Sequence, residues 1–182
     1  MMKRPGLEYQ SQGAIFDEPH RRYRYHLHRL WTCDSRGTVL WILLNPSTAD
    51  AQVLDPTLRR CQQYTRAWGY GGFEVCNLFA LRSTDPDALM LAADPVGPLN
   101  DRTIHDAVTR NALLVCAWGT HRVLKRCPRD HDLCQLLCEW RTEGLVRCPI
   151  SCLALTHDGH PRHPLYLRGA LQPQCFTLSD AG

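Results

Sequence analysis

Polar, hydrogen-bonding residues follow each of four apolar segments of the sequence. They occupy residues 45–50, Asn77 with residues 82–84, residues 118–121 and residues 156–163. Their amide, hydroxyl and imidazole groups donate and accept hydrogen bonds, and the Pro and Gly residues among them restrict the backbone. Groups of this kind can bind a polar ligand, orient a water molecule or stabilise a leaving group, provided that the fold brings the four segments together.

The four apolar segments are predicted to be buried strands of one sheet. Residues 39–44 are continuously apolar, and mainly apolar segments occur at residues 73–79, 112–117 and 150–155. Such runs are typical of parallel strands that are covered on both faces. In an open parallel sheet, ligands bind beyond the carboxyl ends of the strands, where the four polar segments would meet.

Helices are predicted between these strands. Asp55 can cap the free amides of a first helix, and Pro56 is tolerated at its first position. A second helix is expected over about residues 99–110, and a third is indicated by apolar residues at i, i+3, i+4 and i+7, namely Leu133, Leu136, Leu137 and Trp140. The alternation of strands and helices predicts an α/β fold, a three-layer sandwich with a mostly parallel central sheet.

The amino-terminal part of the chain has a different pattern. Residues 1–20 are polar and irregular, which predicts a loosely ordered arm, and residues 21–182 are predicted to form a single α/β domain. Residues 23–28 alternate with period two and lead to a polar turn at residues 34–37. This pattern predicts an antiparallel hairpin at one edge of the sheet.

Composition limits the classes of function. The chain has 182 residues, of which 44% are hydrophobic and 21% charged, enough for one substantial core. No apolar run approaches the ~20 residues that span a membrane, and no secretory segment follows the first residues, so we predict a cytoplasmic protein without membrane contact. The net charge of +3 is by itself too small to indicate nucleic-acid binding, although arginines are concentrated between residues 21 and 36.

The ten cysteines are predicted to be reduced thiols, because nothing marks the chain for secretion. The densest group extends from Cys127 to Cys152 and includes His131 nearby. A structural zinc site usually takes its ligands from two short-spaced pairs, and no Cys-x-x-Cys pair occurs. We therefore predict neither a metal nor a cofactor, and keep a metal-stabilised interaction protein as an alternative.

Several of the polar residues also have a purely structural interpretation. Asn45-Pro46 can be a rigid turn, Ser47 and Thr48 can bond neighbouring backbone amides, and Asp55 is better explained as a helix cap than as a catalyst. Asn77 ends an apolar run, so its amide either closes a buried network or contacts a polar ligand. The glycine-rich phosphate-binding motifs and the Gly-x-Ser-x-Gly elbow of hydrolases are missing.

Taken together, these segments resemble a bacterial and phage family catalogued as domain of unknown function 1643. The resemblance extends over roughly residues 22 to 170. It is carried by the segments at residues 43–50, 55–57, 77–84, 95–97, 117–119 and 163–167.

A more distant resemblance connects the chain to the uracil-DNA glycosylase superfamily. Asn45-Pro46 is similar to the Gly-Ile-Asn-Pro-Gly loop of its mismatch-specific branch, and residues 77–82 are similar to an Asn-Val-Val-Lys-Cys-Arg segment. His163-Pro164 is similar to the His-Pro-Ser motif, although leucine replaces the serine. The first loop also carries Asn where most glycosylases have Asp or Glu, and it has no aromatic residue to stack on a base.

This resemblance implies a uracil-DNA-glycosylase-like fold with a pocket for a nucleobase or nucleotide, and N-glycosidic hydrolysis on nucleic acid as the candidate activity. In that scheme Asn45 orients water, Asp50 supplies negative charge and His163 stabilises the departing base. Ligand contacts would come from Pro46, Ser47, Thr48, Asn77, Arg82, Trp118 and Pro164, with nucleic acid or a nucleotide as the partner. A non-catalytic module that binds a nucleotide or nucleic acid through the same pocket is the alternative.

Overall fold

The protein folds around one mixed sheet in the computed structural model, which describes residues 9–32 and 36–178. Within these residues the sheet has seven strands: β1 (Ser11–Phe16), β2 (Arg24–Leu30), β3 (Thr38–Leu43), β4 (Gly72–Asn77), β5 (Leu113–Cys116), β6 (Ile150–Cys152) and β7 (Gln174–Cys175). The spatial order is β1-β2-β4-β3-β5-β6-β7. The four central strands β4, β3, β5 and β6 are parallel, whereas β1, β2 and β7 pair antiparallel at the two sides.

Helices cover both faces of this sheet. They are α1 (Pro56–Ala67), α2 (Asn100–Val108), α3 (Val123–Arg126) and α4 (Arg129–Thr142), with short 3-10 helices at Pro86–Met90 and Pro164–Tyr166. Strand β3 shows the reason for the three layers. Its residues Val39 and Trp41 pack against α1, whereas Leu40 and Ile42 belong to the core shared with α2 and α4. The predicted three-layer α/β sandwich with a mostly parallel centre is thereby confirmed.

The first helix begins as its sequence predicts. The Asp55 side chain accepts a hydrogen bond from the Leu58 amide at 2.9 Å, and Pro56 occupies the first helical position. This cap fixes the chain where it turns from the loop after β3 into α1. Because α1 is the next element after the carboxyl end of β3, its amino terminus lies at the end of the sheet where the polar loops gather.

The predicted edge hairpin is present, but it uses different segments. Strand β2 pairs with β1, which lies within residues 1–20, where the sequence indicates a loosely ordered arm. The other neighbour of β2 is β4, and β3 pairs with β4 and β5, so the polar segment near residue 37 does not connect two paired strands. Residues 1–8 of the arm and 33–35 of that turn lie outside the described residues.

The arginine-rich stretch is also partly internal. Arg24 and Arg29 are 2% and 0% exposed, and they donate to the backbone carbonyls of Ala49 and Asp50. Both side chains hold the loop that follows β3, because a buried guanidinium must find acceptors. They are therefore absent from any surface track of positive charge.

Candidate functional site

A cavity of about 570 Å³ opens at the carboxyl ends of β3 and β5, beside the amino terminus of α1. Its volume is in the range of small-molecule sites. Of the ten residues that the sequence nominates, four line it: Asn45, Ser47, Trp118 and His163. Eight further polar or aromatic residues line it as well: Arg24, Asp55, Thr57, Thr120, His121, Thr156, Arg162 and Tyr166.

Asn45 presents an acceptor to this cavity. Its Nδ2 donates to the carbonyl oxygens of Pro46 at 3.1 Å and Ser83 at 2.9 Å. Because both partners are carbonyl oxygens, the atom that faces them is the amide nitrogen. The remaining oxygen, Oδ1, has no hydrogen-bond partner among the described residues, so it can accept from a ligand or a water molecule in the cavity.

His163 presents a donor. Its Nδ1 accepts a hydrogen bond from the Leu165 amide at 3.4 Å, where His163 caps the 3-10 helix Pro164–Tyr166. Burial lowers the pKa of this imidazole, although the nearby Asp55 opposes the effect. The neutral ring with Nδ1 as acceptor carries its proton on Nε2, which leaves Nε2–H to donate to a ligand.

Gly119 determines how closely the loop after β5 approaches this histidine. Its backbone has a φ of +75°, and a Cβ placed on it would lie 3.2 Å from the Cβ of His163. Its amide donates to the Pro161 carbonyl at 2.9 Å, which ties the two loops together. A glycine is required for both reasons, since other residues rarely adopt a positive φ and none has so little volume.

Asp55 adds a carboxylate to the same cavity. One of its oxygens caps α1, and its charge acts on both Arg24 and His163. The interpretation of Asp55 as a helix cap is confirmed, but the cap position also puts the carboxylate beside the cavity. The sequence Asp55-Pro56 is enough to predict the cap. Whether the Asp55 carboxylate reaches the cavity depends on where α1 begins relative to the sheet.

Arg24 lies in the wall of the cavity with very little accessible surface. The residue is 2% exposed, and burial lowers the pKa of its guanidinium to about 10 against the opposing effect of Asp55. Its Nη1 donates to the Ala49 carbonyl at 2.9 Å, while its Nε is buried without a hydrogen-bond partner among residues 9–32 and 36–178. The sequence nominates it only as one arginine of the segment 21–36, which was expected to contact phosphates, because the alternating pattern of residues 23–28 indicates only which residues share a face.

Tyr166 supplies the aromatic side chain that the first loop lacks. It is 77% exposed, lines the cavity, and its ring centre lies 5.7 Å from that of His163. Trp118, the other aromatic residue in the wall, is 1% exposed and packs edge-on against Phe176. Of these two rings, Tyr166 is therefore the one with a free face for a ligand.

The other residues of the first loop that the sequence nominates do not line the cavity. The Asp50 carboxylate accepts from the backbone amides of Gln52 and Val53 at 2.7 and 2.9 Å, and these bonds lower its pKa. Asp50 and Thr48 do not line the cavity. Pro46 is buried beside it and accepts through its carbonyl, as described above for Asn45.

The remaining nominated residues also lie outside the cavity wall. Asn77 is 1% exposed, and its backbone carbonyl accepts from Asn100 at 2.9 Å. Its Nδ2 is buried and has no hydrogen-bond partner within the described residues. Arg82 donates to the Arg21 carbonyl at 3.1 Å. Pro164 is buried at the start of the 3-10 helix that carries Tyr166. The structure thus brings Asn45, Ser47, Trp118 and His163 together, but not the other six.

No group of three or more potential metal ligands is found in residues 9–32 and 36–178. Burial raises the thiol pKa of Cys116, Cys134 and Cys152, which belong to the same buried core as residues of α4. Cys33 lies outside the described residues. Among the described helices, none has the length and apolar character needed to cross a membrane.

Comparison with known proteins gives one match. The family model described as "Protein of unknown function (DUF1643)" matches residues 24–165, which is more than half of the chain and includes the whole cavity wall except Tyr166. No curated protein and no solved structure matches. The chain therefore belongs to the DUF1643 family, whose function is unknown.

Proposed function

We propose that this protein binds a nucleotide, free or within nucleic acid, in the cavity at the strand ends and hydrolyses its N-glycosidic bond. The observation that carries the proposal is the pairing of a fixed acceptor, Oδ1 of Asn45, with a fixed donor, Nε2–H of His163, on the wall of one cavity. Hydrolysis of this bond needs an oriented water on one side of the sugar and a donor to the departing base on the other.

Asn45 holds the water in this scheme. Its Nδ2 is committed to two carbonyls, so the amide cannot rotate without losing both hydrogen bonds. An amide orients water but cannot take its proton. We assign that role to Asp55, whose carboxylate also offsets positive charge on the sugar as the bond breaks. Asp50 is not used, because its carboxylate is committed to a backbone turn outside the cavity.

The reaction balances as a hydrolysis. The water oxygen bonds to C1′ of the sugar, and the C1′–N bond breaks with its electron pair on the base. The water proton passes to Asp55, and the base leaves as an anion. His163 stabilises this anion by donating from Nε2–H, and burial keeps the imidazole in the neutral form that can do so at pH 7. The exposed ring of Tyr166 provides a surface on which the base can stack.

The order of the site-bearing loops along the chain supports the same reaction. The distant resemblance to the uracil-DNA glycosylase superfamily assigns water orientation to the loop with Asn45 and base stabilisation to the segment with His163. Both residues line one cavity although they are separated by more than a hundred positions in the sequence. Asn77, which the resemblance assigns to reading the base, does not line the cavity and has no part in this scheme.

The test is release of free base, measured by mass spectrometry, from nucleotides and oligonucleotides that carry natural and modified bases. We expect Asn45→Ala and His163→Ala each to lower the rate by about 100-fold or more while the fold remains intact. The matched control is His157→Ala, because His157 is exposed and does not line the cavity. If the native protein binds these compounds but releases no base, the proposed hydrolysis is refuted and the protein is a non-catalytic binding module.

A further inference from the structure

Arg24 carries a buried positive charge without an ion pair. The residue is 2% exposed, and no carboxylate oxygen of the described residues lies within 4.0 Å of its guanidinium nitrogens. Most buried charges in proteins are paired, because removal from water is unfavourable unless an opposite charge compensates it. An unpaired guanidinium in the wall of a cavity therefore favours a ligand that brings a negative charge.

The hydrogen bonds of Arg24 leave one edge of the guanidinium unused. Nη1 donates to the Ala49 carbonyl at 2.9 Å, whereas Nε has no hydrogen-bond partner in the part of the chain that the structure describes. The Nε–Nη2 edge presents two parallel N–H groups, which is the arrangement that binds two oxygens of a phosphate or carboxylate. A single carbonyl oxygen would use only one of these donors.

The first turn of α1 adds a second attraction for an anion. Thr57, at the second position of this 12-residue helix, lines the same cavity as Arg24. Pro56 has no amide hydrogen and the Leu58 amide is bonded to Asp55, so Thr57 contributes the free amide of this turn. Backbone amides at a helix amino terminus attract negative charge. The Asp55 carboxylate in the same cavity wall opposes this attraction, and its charge also acts on Arg24, although no Asp55 oxygen lies within 4.0 Å of the guanidinium nitrogens.

The burial of Arg24 also discriminates between kinds of phosphate. Tyr166, in the same cavity wall, is 77% exposed, whereas Arg24 is 2% exposed. A phosphodiester within a nucleic-acid strand is connected to further nucleotides on both sides, so the strand would have to pass into the site and out of it again. A terminal phosphate is the end of its molecule and can be enclosed beside a buried guanidinium.

We infer that the substrate is a free nucleotide, whose terminal phosphate binds between Arg24 and the first turn of α1. This inference rests on the proposed function, and it narrows the substrate from nucleic acid or nucleotide to the monomer. The lowered pKa of Arg24, about 10, still leaves the guanidinium cationic at pH 7. The phosphate therefore meets a full positive charge.

The first experiment uses inorganic phosphate as the probe and measures the thermal midpoint at constant ionic strength. We expect phosphate to raise the midpoint of the native protein and to have no effect on Arg24→Met. The control is Arg29→Met, because Arg29 holds the Asp50 carbonyl of the same loop at 2.9 Å but does not line the cavity. Equal stabilisation of the native protein and Arg24→Met would overturn the inference.

The second experiment needs no variant and therefore does not depend on the folding of Arg24→Met. Calorimetry compares each deoxynucleoside with its 5′-monophosphate and with a short oligonucleotide. We expect the monophosphate to bind at least ten-fold more tightly than the nucleoside and more tightly than the oligonucleotide. Equal affinities for nucleoside and monophosphate, or tighter binding of the oligonucleotide, would contradict the inference.

These results separate the two proposals. Phosphate binding that depends on Arg24, without release of base from any nucleotide, would retain the phosphate site and refute the hydrolysis. Release of base that requires Asn45 and His163 but is faster from oligonucleotides than from monomers would retain the hydrolysis and refute the free nucleotide as substrate.

Discussion

Substitution of Gly119 by alanine separates a backbone effect from an effect on His163. At a φ of +75°, a residue with a Cβ costs about 1–2 kcal/mol relative to glycine. For a domain of this size that corresponds to a decrease of roughly 2–8 °C in the thermal midpoint. The added Cβ would also lie 3.2 Å from the Cβ of His163, so the histidine must move by a few tenths of an ångström.

The chain offers a matched control at Gly69. Its φ is +78°, almost the same as that of Gly119, but a Cβ there meets nothing within 4 Å. Gly69→Ala should therefore lose a similar amount of stability without any effect at the cavity. Because a misplacement of 1 Å can cost about 100-fold in rate, a displacement of a few tenths of an ångström predicts a loss of roughly three- to ten-fold in Gly119→Ala alone.

Three measurements check this prediction. Thermal denaturation compares both variants with the native protein, and base release compares their rates. Nitrogen chemical shifts of the His163 imidazole report its displacement independently of activity. The reasoning is refuted if these shifts are the same in Gly119→Ala and Gly69→Ala, or if the two variants release base at the same rate.

Two further predictions concern the rest of the fold. Burial alone would raise the pKa of Glu74, but hydrogen bonds from His26 and Arg110 outweigh it and lower the pKa to about 2 from an ordinary 4.5. The lowered pKa of Glu74 corresponds to about 3 kcal/mol of stability above pH 4.5, which is lost as the pH falls toward 2. Urea denaturation should therefore show Glu74→Gln less stable than the native protein at pH 7 and nearer to it at pH 3. Cys116 is buried, which raises the pKa of its thiol, whereas Cys138 is exposed. A thiol reagent should therefore modify Cys138 in the native protein but Cys116 only after unfolding, as measured by mass spectrometry.

Each of these predictions has a result that would contradict it. If the native protein and Glu74→Gln differ in unfolding free energy by the same amount at pH 7 and pH 3, the ionised Glu74 carboxylate is not the source of this stability. Modification of Cys116 as fast as Cys138 in the folded protein would show that the core beside α4 opens readily. Both measurements are independent of the proposed reaction.

Much of the fold follows from patterns that are local in the sequence. The continuous apolar run around β3 predicts burial on both faces, and the structure distributes its residues between the two cores. Asp55-Pro56 predicts the start of α1, and the cap is present. Strand β1 could not be predicted in the same way, since Ser11–Phe16 is a mostly exposed edge strand whose stability comes from pairing with β2.

The candidate site follows from the sequence only in part. Asn45 and His163 are recognisable because they end or follow predicted elements and match a family pattern. Asp50 and Asp55 are both carboxylates near the first helix, and nothing local distinguishes the one that faces the cavity. Asp50 is turned away by bonds to the amides of the next residues, whereas Asp55 is kept beside the cavity by the position of α1.

What the sequence by itself determined is the order of the four parallel strands and the three longest helices along the chain, the cap of α1 and the end of the sheet at which polar loops collect. These depend on periodicity and on residues close together in the chain. Only the tertiary structure decided which side chains meet there, because the contacts that orient them are distant in sequence. Asn45 is oriented by the carbonyl of Ser83, and Arg24 by the carbonyl of Ala49. The direction of a side chain in a loop is set by such partners, and they become neighbours only when the sheet has formed.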